Sequence, residues 1–127
     1  FMKKIKTSIN FKDHRGVIID LIQKENINAI TFITINKNKV RGNHYHKKTY
    51  QWNYIISGKM KLITRKKKKI KYEKLKKGDL FLTVPNEHHA LVGVTKCEVL
   101  VFTKGPRGGK EYENDTFRIK EDLSKLL

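Results

Sequence analysis

The most constraining feature of this chain is its punctuation: short β-branched and aromatic runs are broken by turn residues about every ten positions. Residues 29–35 read Ala-Ile-Thr-Phe-Ile-Thr-Ile and stop at the cluster Asn36-Lys37-Asn38. Further strand candidates cover residues 17–22, 43–47, 51–56, 59–65, 70–75, 80–84, 89–94 and 98–103. The breaks between them carry Gly42, Ser57-Gly58, Lys77-Gly78-Asp79 and Pro85-Asn86. Eight or nine short strands at that spacing predict an all-β sandwich, jelly roll or barrel. Gly105-Pro106-Arg107-Gly108-Gly109 reads as a flexible stretch after the last core strand. In the tail 120–127, Ile119, Leu123, Leu126 and Leu127 stand near helical spacing, which predicts a short C-terminal helix. With 127 residues and no internal repeat, the expectation is one domain spanning 1–127.

The net charge of +17 raises the question of nucleic acid. Its densest part, Arg65-Lys66-Lys67-Lys68-Lys69, falls between two neighbouring strand candidates and reads as a solvated hairpin tip. No helix-turn-helix, zinc-finger or RNA-binding signature accompanies it, so the composition alone does not make a nucleic-acid partner. Apolar runs are far too short to span a bilayer. The start Met2-Lys3-Lys4-Ile5-Lys6 lacks the apolar region of a signal peptide, and Phe1 before it reads as a remnant of expression. Cys97 stands alone, which suits a reducing compartment, and it has no activating neighbour beyond Lys96. The expected location is cytoplasmic, with no membrane partner.

Chemistry concentrates in two segments. The first is Arg41-Gly42-Asn43-His44-Tyr45-His46-Lys47-Lys48-Thr49-Tyr50-Gln51. On a strand, His44 and His46 project to one face while Tyr45 faces away. The second runs from Gly78-Asp79 through Val84-Pro85-Asn86 to Glu87-His88-His89. Either His88 or His89 can face inward, and Gln51 can fix a neighbouring imidazole by a hydrogen bond. Trp52 and Tyr54 alternate with Gln51 and Asn53, so one pair faces the interior and the other packs outside.

Together these segments resemble the two motifs of the cupin superfamily, a double-stranded β-helix or jelly-roll barrel. The first motif is a glycine, His-x-His, a polar residue and a later glycine; the second is a glycine, a short strand, a proline and a histidine. The proline-to-histidine spacing favours His89 as the inward residue. Many cupins hold a divalent metal with three histidines and a glutamate, but this chain has Gln51 where the glutamate stands. The string Arg-Gly-x-His-x-His-Lys-Lys-x-x-Gln is similar to that of dTDP-4-keto-6-deoxyhexose 3,4-ketoisomerases. Asp13-His14-Arg15-Gly16 is similar to a segment of related nucleotide-sugar epimerases. The resemblance implies proton transfer by His44 and His46 with Arg41 beside the oxyanion. It implies substrate contacts from Arg15 (at the diphosphate), Gln51, His89 and Tyr54. The tyrosine those ketoisomerases carry on the strand before Arg-Gly is absent from 29–35.

The expected activity is therefore isomerisation or epimerisation of a nucleoside-diphosphate 4-keto-6-deoxy sugar, in surface polysaccharide biosynthesis, without a metal and in a homodimer. Two other readings stand beside it. One is a metal-dependent cupin, a dioxygenase or metal-assisted isomerase, with His44, His46, Gln51 and His89 as ligands. The other is a sugar-binding cupin without catalysis.

Overall fold

The computed structural model describes residues 3–126; Phe1, Met2 and the Leu127 expected in the tail helix lie outside them. Twelve strands occur in the described residues. In chain order they are β1 (Lys3–Ile5), β2 (Phe11–Asp13), β3 (Gly16–Ile18), β4 (Ala29–Ile35), β5 (Val40–Tyr45) and β6 (Tyr50–Ser57). Then come β7 (Lys59–Lys66), β8 (Lys69–Lys76), β9 (Leu80–Thr83), β10 (His88–Gly93), β11 (Cys97–Lys104) and β12 (Phe117–Arg118). A short helix, α1 (Gly109–Asn114), precedes β12, and a 3₁₀ turn (Leu123–Lys125) follows it. The order β1-β9-β6-β11-β4 forms one five-stranded sheet and β12-β5-β10-β7-β8 the other, while β2 and β3 make a separate hairpin. All pairings are antiparallel. This is the expected jelly-roll barrel. Among the described residues, no helix is long and apolar enough to cross a membrane.

Alternation along the strands builds the interior. Along β11, Cys97, Val99, Val101 and Thr103 are buried and the residues between them are not. Ile35, Ile55, Met60, Leu62, Leu75, Phe81 and Leu91 join the first three in one apolar core. Cys97 donates its thiol to the Lys59 carbonyl at 3.0 Å, and burial pushes its pKa up, as expected of an inert cysteine. Gly58 makes the corner between sheets: it sits at φ 91, and an added Cβ would run into Lys96 and Cys97. The lysine run closes the β7–β8 hairpin, with Lys66 opposite Lys69.

The C-terminal region departs from the sequence expectation. The glycine-rich stretch leads directly into α1, and the described residues of the tail, 120–126, form no α-helix. The tail is pinned as extended chain: Ile119 N–H donates to the Asn43 carbonyl, and Leu123 N–H to Asn43 Oδ1 at 2.9 Å. Asp122 caps the single 3₁₀ turn, and Leu123 is buried against Ile63 and Ala90.

Candidate active site

A β-bulge organises the site. Across β5 and β10, His44 pairs with His89, but Gly42 pairs with Ala90, so Asn43 is the extra residue and lies at φ 59. Gly42, at φ 85, lets the strands close here; a Cβ would stand 3.1 Å from the His89 carbonyl oxygen. Asn43 turns outward and donates to the carbonyls of Ile119 and Glu121. One residue thus shapes the histidine strand and anchors the tail that covers it.

The register brings three imidazoles together. Ring centroids lie 4.7 Å apart for His44 and His46, 4.8 Å for His44 and His89, and 5.6 Å for His46 and His89. His88 faces out, stacked on Tyr45, which stacks on Phe117 of β12. The choice of His89 as the inward residue agrees with this placement. His46 Nδ1 lies 2.9 Å from the Asp115 carbonyl, and His89 Nδ1 lies 3.2 Å from the Glu87 carbonyl. A carbonyl only accepts, so each Nδ1 carries the proton and each Nε2 keeps its lone pair. His46 Nε2 is buried without a hydrogen-bond partner among the described residues.

All three rings are held neutral. Burial, then the fields of His46, Arg118 and Arg107, lowers His44 to about 4. Burial, then His44 and His46, lowers His89 to about 3 against the opposing bond to Glu87. Burial also lowers His46, although the Asp115 carbonyl and carboxylate and the Gln51 amide favour its charged form. Asp115 holds the loop after His46: its carboxylate accepts from Lys47 N–H, Lys48 N–H and the Thr49 hydroxyl.

Two of these rings, His44 and His89, line a cavity of about 400 Å³, and the buried His46 ring packs against both of them. Arg41, Gly42, His44 and His89 line it from one sheet, and Gln51, Asn53, Phe81 and Thr83 from the other. Arg41 is fixed by donating Nε–H to the Thr34 carbonyl at 2.8 Å. The outer wall comes from the C-terminal segment as Arg107, Tyr112, Thr116 and Arg118. Sequence reasoning missed these four because that stretch reads as a glycine-rich loop; Arg107 beside an aromatic at 112 was the available signal. Among the described residues, no Asp or Glu lines the cavity.

Three expected residues are not among those that line this cavity: His46, which is buried against the two lining imidazoles, and Arg15 and Tyr54. Arg15 sits at the turn of the β2–β3 hairpin, exposed and paired with Asp13 at 2.6 Å. The Asp13 spacing makes the pair local, and the hairpin belongs to neither large sheet. Tyr54 shares the outer face of β6 with Trp52, because Gln51, Asn53 and Ile55 take the inner one.

The three histidines offer nitrogens within 4.8 Å of one another. Two nitrogens at about 2.0–2.1 Å from one tetrahedral zinc stand roughly 3.3 Å apart, a tighter set. The lining also lacks a carboxylate and carries three guanidinium groups, whose field repels a divalent cation. The residues therefore fit a resident divalent metal poorly.

No curated protein sequence matches the chain. Solved structures do match. The sugar 3,4-ketoisomerase QdtA from Thermoanaerobacterium thermosaccharolyticum, in complex with TDP, is 22% identical with a TM-score of 0.75, over 94% of this chain and 88% of that one. The TDP-quinovose 3,4-ketoisomerase WlaRB from Campylobacter jejuni is 19% identical with a TM-score of 0.79, over 93% and 92%. The RmlC epimerase from Mycobacterium tuberculosis is 10% identical with a TM-score of 0.75, over 93% and 68%. At these identities the likeness is one of fold, and the fold is cupin-like. The family model for the polysaccharide biosynthesis C-terminal domain matches residues 11–105, and the chain belongs to that family.

Proposed function

We propose that the protein is an isomerase or epimerase of a nucleoside-diphosphate 4-keto-6-deoxy sugar, acting in surface polysaccharide synthesis. The observation that carries this reading is a cluster of three neutral imidazoles, two of which line an arginine-bearing cavity. Similarity to the two ketoisomerase folds supports it.

A ketone at C4 acidifies the C3 hydrogen. A neutral imidazole takes that proton, leaving an enediolate; delivering a proton to C4 moves the carbonyl to C3. Return of the proton to the opposite face of C3 inverts the centre instead. In this reading His46, packed against the cavity-lining His44, takes the proton: its Nε2 has no hydrogen-bond partner among the described residues, and the Asp115 carbonyl steadies the imidazolium that forms. Its low basicity in the free protein rises when an anionic substrate offsets the guanidinium fields. His44, directly across from His89, is the second proton carrier, and Arg41 faces the developing oxyanion. Gln51 and His89 contact the sugar. No metal is needed for these steps.

The test is dTDP-4-keto-6-deoxyglucose in D₂O followed by NMR. Deuterium at C3 or C4, with a new keto or epimeric product, is expected; tight binding without deuterium uptake would mean a sugar-binding protein instead. Prior chelation is expected to leave turnover unchanged, with less than about a tenth of an equivalent of transition metal in the protein. Turnover lost on chelation and restored by one metal would favour metal-assisted chemistry.

We also propose a homodimer in the cytoplasm, where sugar nucleotides are made. Ile30 and Phe32 on the edge strand β4 are 64% and 54% exposed, and Phe11, Val17 and Ile18 of the N-terminal hairpin are exposed as well. A second copy would cover such a face. Light scattering after chromatography, read for a mass near twice 14.9 kDa, checks it.

A further inference from the structure

The chain has five arginines, and their partners divide them sharply. Arg15 pairs with Asp13 and Arg65 with Glu121. Arg41 donates to a backbone carbonyl. Arg107 and Arg118 form no ion pair among the described residues, although both line the cavity. The Arg107 guanidinium lies 4.3 Å over the Tyr112 ring, which keeps its charge and holds its plane in place. The Tyr112 ring also meets the His46 ring at 5.5 Å, so this wall is built directly against the histidine cluster. Arg118 is placed by β12, whose pairing with β5 sets it opposite His44.

Two unneutralised guanidiniums on a wall without a carboxylate cost electrostatic energy in the free protein. Both fields disfavour a charged His44. An uncharged hexose would not offset that cost, and a single carboxylate would offset only part of it. A diphosphate carries enough negative charge and offers acceptor oxygens to two forks at once.

We propose that Arg107 and Arg118 form the diphosphate clamp of the nucleotide sugar, so that the C-terminal segment, rather than Arg15, supplies phosphate recognition. The diphosphate lies along the α1–β12 wall, and the hexose extends from it to His44 and His46. The placement of the hexose rests on the isomerase reading; the anion clamp does not.

Calorimetry with dTDP, inorganic pyrophosphate and thymidine tests the clamp in the full chain. Arg107→Gln and Arg118→Gln should each weaken dTDP and pyrophosphate about 10–100-fold, the range for losing a charge-assisted hydrogen-bond pair. Thymidine, which lacks phosphate, should lose less than about twofold. Lys67→Gln at the hairpin tip should stay within about twofold for every ligand, separating the clamp from the general positive field. Unchanged dTDP affinity in both glutamine variants overturns the proposal, as does a loss confined to Arg15→Gln or an equal loss for thymidine. Failure of the wild-type protein to bind either dTDP or pyrophosphate overturns it as well. If binding depends on the two arginines while no 4-keto sugar takes up deuterium, the clamp stands and the isomerase reading falls. If deuterium enters with an unchanged KM in both variants, the reading stands and the clamp falls.

Discussion

At one end of the barrel, β11 turns Cys97 and Val99 inward, β6 contributes Ile55 and β10 contributes Leu91. Toward the other end the same three strands turn in Thr103, Gln51 and His89. Between them the antiparallel pairing continues past the bulge opposite His89 and Ala90, and the side chains change from apolar to polar. The apolar end is a closed, interdigitated core. The polar end carries buried groups with no partner among the described residues, His46 Nε2 and Thr103 Oγ1. Each such group costs about 1–3 kcal/mol, whereas each well-packed aliphatic residue at the other end contributes about 1.5–3 kcal/mol. On these three strands one end thus stabilises a fold that the other end uses for chemistry.

The largest effect that sharpens this contrast is on turnover. His46→Asn is expected to lower kcat about 10²–10⁴-fold with little change in melting temperature. Ile55→Ala should do the reverse: a loss of about 2–5 kcal/mol of stability, with kcat kept below the melting transition. Steady-state assays and denaturant unfolding of both variants read the difference. If His46→Asn turns over normally and melts early, the polar end is merely a poorly packed core.

Acid titration separates the two ends by a smaller margin. The folded pKa values of His44 and His89, about 4 and about 3, lie below their usual 6.5. Between those values the unfolded chain binds protons that the folded chain refuses. Stability contributed above pH 6.5 is therefore lost as pH falls through the window toward 4 and then 3. A drop on the order of 5–10 °C in melting temperature is expected between about pH 7 and pH 4.5. His44→Asn should flatten that slope. Ile55→Ala should lower the whole curve without changing it, and equal slopes in all three proteins would show that the imidazoles are not held neutral.

Much of this was legible in the sequence, because alternation with period two fixes both strand existence and facing. β4 falls where the β-branched run predicts it, and the His-x-His spacing places both rings on the inner face. What was not legible depends on long-range closure. The bulge at Asn43 exists only because β10 lies opposite, and no local signal at Gly42-Asn43 distinguishes a bulge from a turn. The cavity wall from Arg107 to Arg118 spans a helix of six residues that is too short to form alone, and its Tyr112 ring meets His46. Arg15 shows the converse: its motif was visible, but its partner was the aspartate two residues away.

The smallest predicted effect tests whether polarity at the open end is itself costly. Thr103 is fully buried, its hydroxyl has no partner among the described residues, and its strand neighbours Val99 and Val101 show that valine suits this face. Thr103→Val keeps the shape and removes the unsatisfied oxygen, so it should be neutral or stabilising by up to about 1 kcal/mol in urea unfolding. Because Thr103 is not part of the cavity lining, kcat should be unaffected by the change. A destabilisation of more than about 1 kcal/mol would mean that the hydroxyl is satisfied in solution, for instance by a buried water. The polar end would then hold bound water at Thr103, and the energetic contrast between the two ends would shrink by that contribution.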